Sequence, residues 1–151
     1  MQYKIINRKE LSSTLEDFGV NTNNLVLADD SYILLDDNKA DTFFSSLFNE
    51  VSKMYVGWQR EKSDCDKFSR ATATMAQISH AAAYTGSKAA ALAAGIINYN
   101  DHAQESGHSV NIAITYDYSK RETYVNFYEP QTGKRKKLSL TEKQSAFLVY
   151  I

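Results

Sequence analysis

The chain has 151 residues, of which 43% are apolar and 23% charged, an ordinary globular composition that argues against long disorder. A net charge of -1 gives no electrostatic case for nucleic acid or an anionic membrane as an obligate partner, and one cysteine excludes an intrachain disulfide. No run of 18 apolar residues occurs, and Met1 to Lys9 has no apolar run of signal-peptide length. The expectation is a cytoplasmic protein with no membrane partner. A single domain spanning 1–151 is expected, since this length buries roughly 68–70% of the unfolded surface without a metal or disulfide staple.

In chain order, Tyr3 to Ile6 reads as a short strand and Lys9 to Phe18 as a helix stopped by Gly19. Leu25 to Leu27 and Tyr32 to Leu35, separated by Asp29, Asp30 and Ser31, read as a hairpin. From Asp41 to Met54 the apolar stripe Phe43, Phe44, Leu47, Phe48, Val51 predicts an amphipathic helix. Met54 to Gln59 carries the only tryptophan, Trp58, expected to be packed. A long helix follows from Asp64 to about Tyr84, presenting Phe68, Ala71, Thr72, Met75, Ile78, Ser79 and Ala82, and Gly86 breaks it. Ser87 to Ala94 reads as a second, alanine-dense helix ending at Gly95. Towards the end, Lys134 to Lys137 reads as a solvated basic turn, and Ala146 to Ile151 as a buried strand.

Two alternating runs lie between. Gly107 to Ile114 places His108, Val110, Ile112 and Ile114 on one face; Tyr124 to Glu129 places Val125, Phe127 and Glu129 together. A short connection makes them an antiparallel, half-buried hairpin. Centring the turn between Tyr118 and Ser119 sets Val110 against Phe127, Ile112 against Val125 and Ile114 against Thr123. The same register sets His108 opposite Glu129, although neither residue was used to choose it.

Cys65 is the remaining piece. Ser63 is a good N-cap and Asp66 stands three residues on, so Cys65 falls in the first turn of the long helix. Unpaired N–H groups and the positive helix end favour a thiolate there, while Asp64 and Asp66 oppose it, so a nucleophilic Cys65 needs a histidine beside it. Cys65, His108 and Glu129 supply nucleophile, base and orienting acid in that order, the parts of a thiol nucleophile triad. His80 and His102 read as structural or solvated.

At these residues the chain resembles a known family. Asp64-Cys65-Asp66-Lys67-Phe68, Gly107-His108-Ser109-Val110-Asn111 and Tyr128-Glu129-Pro130-Gln131-Thr132-Gly133 resemble the papain-like cysteine protease domain of a mushroom agglutinin, whose relatives include short phage and bacterial proteins. The resemblance covers roughly Tyr55 to Leu140. It implies an α+β papain-like fold, with a central nucleophile helix on an antiparallel sheet. Residues 1–54 would then be an N-terminal extension, 55–140 the core and 141–151 a C-terminal strand. It also implies a Cys65–His108–Glu129 catalytic triad in a thiol hydrolase, a cysteine peptidase acting on a protein or peptide substrate, in the host cytoplasm if phage-encoded. Gln59, six residues before Cys65, matches an oxyanion glutamine. No cofactor is required for such chemistry, but the resemblance carries calcium dependence with it, which would fall to Asp64 and Asp66; Lys67 stands where relatives often carry a second acidic residue. Two other readings use the same residues: a non-catalytic protein- or ligand-binding module, and transglutaminase-like acyl transfer.

Overall fold

The computed structural model describes residues 3–54, 64–86 and 89–151. Among them are four helices and ten short strands in an α+β arrangement, as expected: β1 (Ile5–Asn7), α1 (Arg8–Asp17), β2 (Leu25–Val26), β3 (Ser31–Ile33), β4 (Leu35–Asp36), α2 (Asp37–Met54), α3 (Asp64–Ala83), β5 (Ala91–Leu92), β6 (Ala94–Asp101), β7 (Ser106–Asp117), β8 (Glu122–Glu129), β9 (Lys134–Lys136), α4 (Leu140–Gln144) and β10 (Leu148–Tyr150). The main sheet runs β2-β10-β6-β7-β8-β9, with β4 added beside β7; β1, β3 and β5 form a second, small sheet. Trp58, Gln59 and the Ser63 cap lie outside the described residues, as does the Asp64 side chain.

Local chemistry accounts for the elements that match expectation. Asn7 accepts from the Glu10 N–H while Glu10 returns a bond to the Asn7 N–H, so a capping box starts α1, and Gly19, at φ 82°, ends it. In α2 the stripe residues Phe44, Leu47 and Val51 are buried, and Phe44 stacks on Tyr128 of β8 at 4.0 Å. Asp37, at the first position of α2, accepts from Thr115 (2.7 Å) and Asn126 (2.8 Å), while Asp41 takes the Tyr128 hydroxyl (3.0 Å) and the Arg135 Nε (2.8 Å). These bonds pin the helix to three strands of the sheet.

Four expectations are corrected. The Leu25–Leu27 and Tyr32–Leu35 runs do not form a hairpin: β2 pairs in parallel with β10, and β3 pairs with β1 and β5 in the other sheet. Arg8 holds the turn between them, donating to the carbonyls of Leu27 (2.8 Å) and Asp29 (2.7 Å). The described part of the alanine-rich stretch after Gly86 is not helix: Ala91–Leu92 is β5 and Ala94 opens β6. There the Gln77 side chain from α3 satisfies the Leu92 N–H and the Leu92 and Ala94 carbonyls, and Gly95 lets the C-terminal strand approach. The basic run is β9, paired with β8, and its Arg135 and Lys136 meet Asp41, Asp37, Asp101 and Glu129 rather than solvent alone. Finally, the β7–β8 hairpin is buried on both faces. Val110, Ile112, Ile114, Val125 and Phe127 join Leu11 and Leu15 of α1, whereas Ala113 and Tyr128 pack with Ala40, Phe44 and Ala76 of α2 and α3.

The observed β7–β8 register sets Ile112 opposite Phe127, Ile114 opposite Val125 and Tyr116 opposite Thr123, two residues away from the predicted pairing. Asp117 causes the slip: its Oδ1 accepts from the Ser119 and Lys120 N–H groups, and Arg121 takes a left-handed φ of 59°, so the turn is centred one residue later than predicted. An even shift leaves every side chain on its original face, since the strand period is two. His108 and Glu129 therefore remain on one face and meet diagonally.

At Gly95 an added Cβ would stand 1.8 Å from the Tyr150 carbonyl oxygen, backbone that no rotamer change can clear. Gly95→Ala should destabilise the fold by about 3 kcal/mol, read as a lower urea midpoint at unchanged slope; a wild-type midpoint would show that β10 does not dock as described.

Candidate functional site

Strand β7 outruns β8. The last β7–β8 pair is Asn111 with Tyr128, so residues 106–110 of β7 have no β8 partner, and Glu129 is paired only on the other edge of β8, with Lys134 of β9. The gap is filled from α3. Ser69 and Ser109 hydroxyls meet at 2.6 Å, and the Asn111 side-chain amide donates to the Ser69 carbonyl at 2.8 Å and to the Gly95 carbonyl at 3.1 Å. All three side chains are buried, so this polar knot fixes the first turns of α3 against β6 and β7. Cys65, half-buried in the first turn, is thereby carried to the unpaired end of β7.

There the three predicted residues come together. His108 Nε2 and Glu129 Oε2 are 2.9 Å apart, with the histidine side chain 9% exposed and the carboxylate 20% exposed. The Cys65 thiol lies beside the His108 ring and the Ser109 backbone N–H, close enough for both to lower its pKa; with Glu129 on Nε2, Nδ1 is the ring nitrogen left for sulfur. The Tyr99 ring meets the imidazole edge-on at 5.8 Å and limits its rotation.

The electrostatics follow from these contacts. The hydrogen bond to His108 holds the Cys65 thiol below its ordinary value, against burial, with the Ser109 N–H helping and Asp66 opposing. Hydrogen bonds to Cys65 and then Glu129 raise His108 to about 9 despite burial. For Glu129, burial pushes the carboxyl up, but the His108 hydrogen bond and charge, with Lys136, leave it lower overall. Each of the three shifts is thus toward the charged form, the thiol and carboxyl lowered and the imidazole raised.

Other predicted residues fall elsewhere or outside the description. Gln59 and the Asp64 side chain are not among the described residues, and within those described no group of three or more His, Cys, Asp or Glu side chains is placed to hold a metal ion. His80 contacts the Ala90 carbonyl at 3.2 Å and stacks on Tyr84, and His102 is exposed; neither joins the site. Ser109, Asn111, Tyr99 and Lys136 escaped the sequence reading. Ser109 and Asn111 carried a signal, being polar residues in the alternate phase of an otherwise apolar strand, but only a buried second face makes that phase meaningful.

No protein-family model matches the chain, and no curated protein matches it in sequence. Solved structures share its fold. One, a PSL1a–E64 complex, superposes with a TM-score of 0.68 at 16% identity over 97% of this chain and 51% of its own. Another, Polyporus squamosus lectin bound to the human-type influenza-binding epitope Neu5Aca2-6Galb1-4GlcNAc, gives 0.66 at 17% identity over 97% and 49%. The chain spans about half the length of these proteins. The resemblance to a mushroom agglutinin thus holds at the level of a mushroom lectin's fold. The expectation of a phage cysteine protease is corrected: a neighbour that shares the fold is a lectin. Among the described residues no helix is long and apolar enough to cross a membrane.

Because His108 supplies the positive charge beside the sulfur, His108→Ala should move the onset of iodoacetamide labelling of Cys65 upward by about 1–2 pH units. The sign is set by loss of a cation that favours the thiolate. Labelling rates measured from pH 5 to 10 check it; an unmoved onset would leave Cys65 an ordinary thiol.

Proposed function

We propose that the chain is a ligand-binding module whose site engages a carbonyl-bearing ligand through Cys65, in an acyl-transfer step. The observation that carries this reading is a single imidazole, His108, held between a thiol and a carboxylate. In the step, the Cys65 thiolate adds to the carbonyl carbon and forms a C–S bond. The His108 imidazolium gives its proton to the leaving group as the old C–N or C–O bond breaks, and Glu129 holds the ring and compensates its charge. A thioester on Cys65 results, and an amine takes the acyl group, with His108 removing the amine's proton and the C–S bond breaking to return the Cys65 thiolate. A nucleophile at the start of a helix, with its base and acid on consecutive antiparallel strands, is the arrangement a papain-like fold would have and supports the same reading.

The test uses the intact chain and E64, an epoxide that thiolates open, followed by intact-mass measurement. Wild type should gain one adduct, located on Cys65, and Cys65→Ala none. Glu129→Gln, which keeps a hydrogen-bonding partner for the ring but loses the charge, should slow the reaction by roughly 10- to 1000-fold, less than the loss seen in serine triads because the thiolate is already favoured. Labelling of folded wild type no faster than of the urea-unfolded chain would overturn the reading.

The glycan named with the lectin neighbour favours a second reading, in which the module holds a sugar without covalent chemistry. Titrating Cys65→Ala with that trisaccharide distinguishes the two: saturable heat supports glycan binding, and none removes it.

A further inference from the structure

Beyond the three residues just discussed, the site is continued by a second pair of charges. Lys136 on β9 places its Nζ 3.6 Å from Glu129 Oε2, the oxygen that faces His108, and 3.5 Å from Asp101 Oδ2 at the end of β6. The Lys136 side chain is 26% exposed and that of Asp101 only 4%, so neither belongs to an open surface ion pair of negligible consequence. Asp101 is fixed independently, since its Oδ1 accepts the N–H groups of Ala103 (2.9 Å) and Gln104 (3.2 Å) in the turn before β7. Sheet parity explains the meeting. Lys136 pairs with Phe127 and Asp101 with Ser106, positions that share the face of Glu129 and His108.

We propose that Lys136, anchored by Asp101, is a positioning residue that fixes the Glu129 carboxylate and sets how much of its negative charge reaches His108. Charges then alternate from Asp101 through Lys136, Glu129 and His108 to Cys65, drawn from β6, β9, β8, β7 and α3. The inference rests on the proposed use of that site, but its geometry does not. Facing the ring are Cys65 from α3, Glu129 from β8 and the Tyr99 ring from β6; Lys136 lies beyond Glu129, and Asp101 and, from α4, Glu142 lie near Tyr99.

The two outer charges act on the imidazolium with opposite sign, and this gives a readout that a merely structural role would not move. Removing the lysine charge leaves the whole carboxylate to His108; removing the aspartate charge leaves Lys136 uncompensated and closer in effect to Glu129. The His108 titration is followed by NMR of the imidazole Cε1 proton, assigned by the loss of its signal in His108→Ala. Lys136→Met should raise the midpoint by about one pH unit and Asp101→Asn should lower it by a similar amount. Lys136→Arg, which keeps the charge, should stay near wild type. Asn can still accept the Ala103 and Gln104 N–H groups, so the turn survives the second change, and Lys136→Gln replaces Lys136→Met if the latter does not fold. Shifts of the same sign, or none in either variant, overturn the proposal. E64 labelling measured alongside separates it from the acyl-transfer reading: opposite shifts with an unreactive Cys65 sink only that reading, while a reactive Cys65 with an unmoved His108 sinks only this one.

Discussion

The site depends on where a hydrogen-bond ladder ends. Had β8 continued to pair with β7 past Asn111, its backbone would have occupied the edge beside Ser109, whose N–H faces the Cys65 sulfur, and Glu129 would have been paired on both sides instead of with β9 alone. Pro130 and the turn that follows stop the strand. The N–H groups of Thr132 and Gly133 both return to the Glu129 carbonyl, and Gly133, at φ 68°, lies where a Cβ would strike Phe48 of α2. A glycine is required there on two counts, backbone angle and space. The turn that ends the ladder is therefore seated on α2, and α2 is seated on the sheet through Asp37, Asp41 and the Phe44–Tyr128 stack.

Energetically the arrangement is a buried polar system bounded by two apolar layers. The α1 side contributes Leu11 and Leu15 against the apolar phase of β7 and β8; the α2 and α3 side contributes Phe44 and Ala76 against the other phase. Between helix and sheet on the second side, the Ser69 and Ser109 hydroxyls meet and the Asn111 amide nitrogen donates to the Ser69 carbonyl, bonds that hold the knot in one geometry, while the Asn111 Oδ1 is buried without a partner among the described residues. Rigidity at this knot passes to Cys65, four residues before Ser69 on the same helix. The thiol reaches His108 because the helix is docked by other residues.

His108 links this support to the chemistry. Its ring is limited by Tyr99, bonded by Glu129 and paired with Cys65, so each neighbour favours the same charge state. Removing any one leaves the others in place but changes what they stabilise, which is why the residues act as a unit and why single substitutions should not add.

Periodicity and capping alone determined much of this. The α1 helix with its Gly19 stop, the α2 stripe, the two alternating runs and the facial partnership of His108 with Glu129 were legible because each is a local pattern, and parity survives a register error of two residues. The strands after Gly86, the parting of β2 from β3 and the fate of Lys134 to Lys136 were not legible, because small, apolar or basic residues adopt the conformation their distant neighbours supply. Gln77 makes strand edges of alanines, and Asp101 with Glu129 draws a basic run into a sheet. Above all, the sequence could name a thiol, an imidazole and a carboxylate, but their union required α3 to cross the end of β7. That crossing is set by Ser69, Ser109 and Asn111, whose hydrogen bonds between α3 and β7 span 40 residues or more and exist only once the sheet has formed.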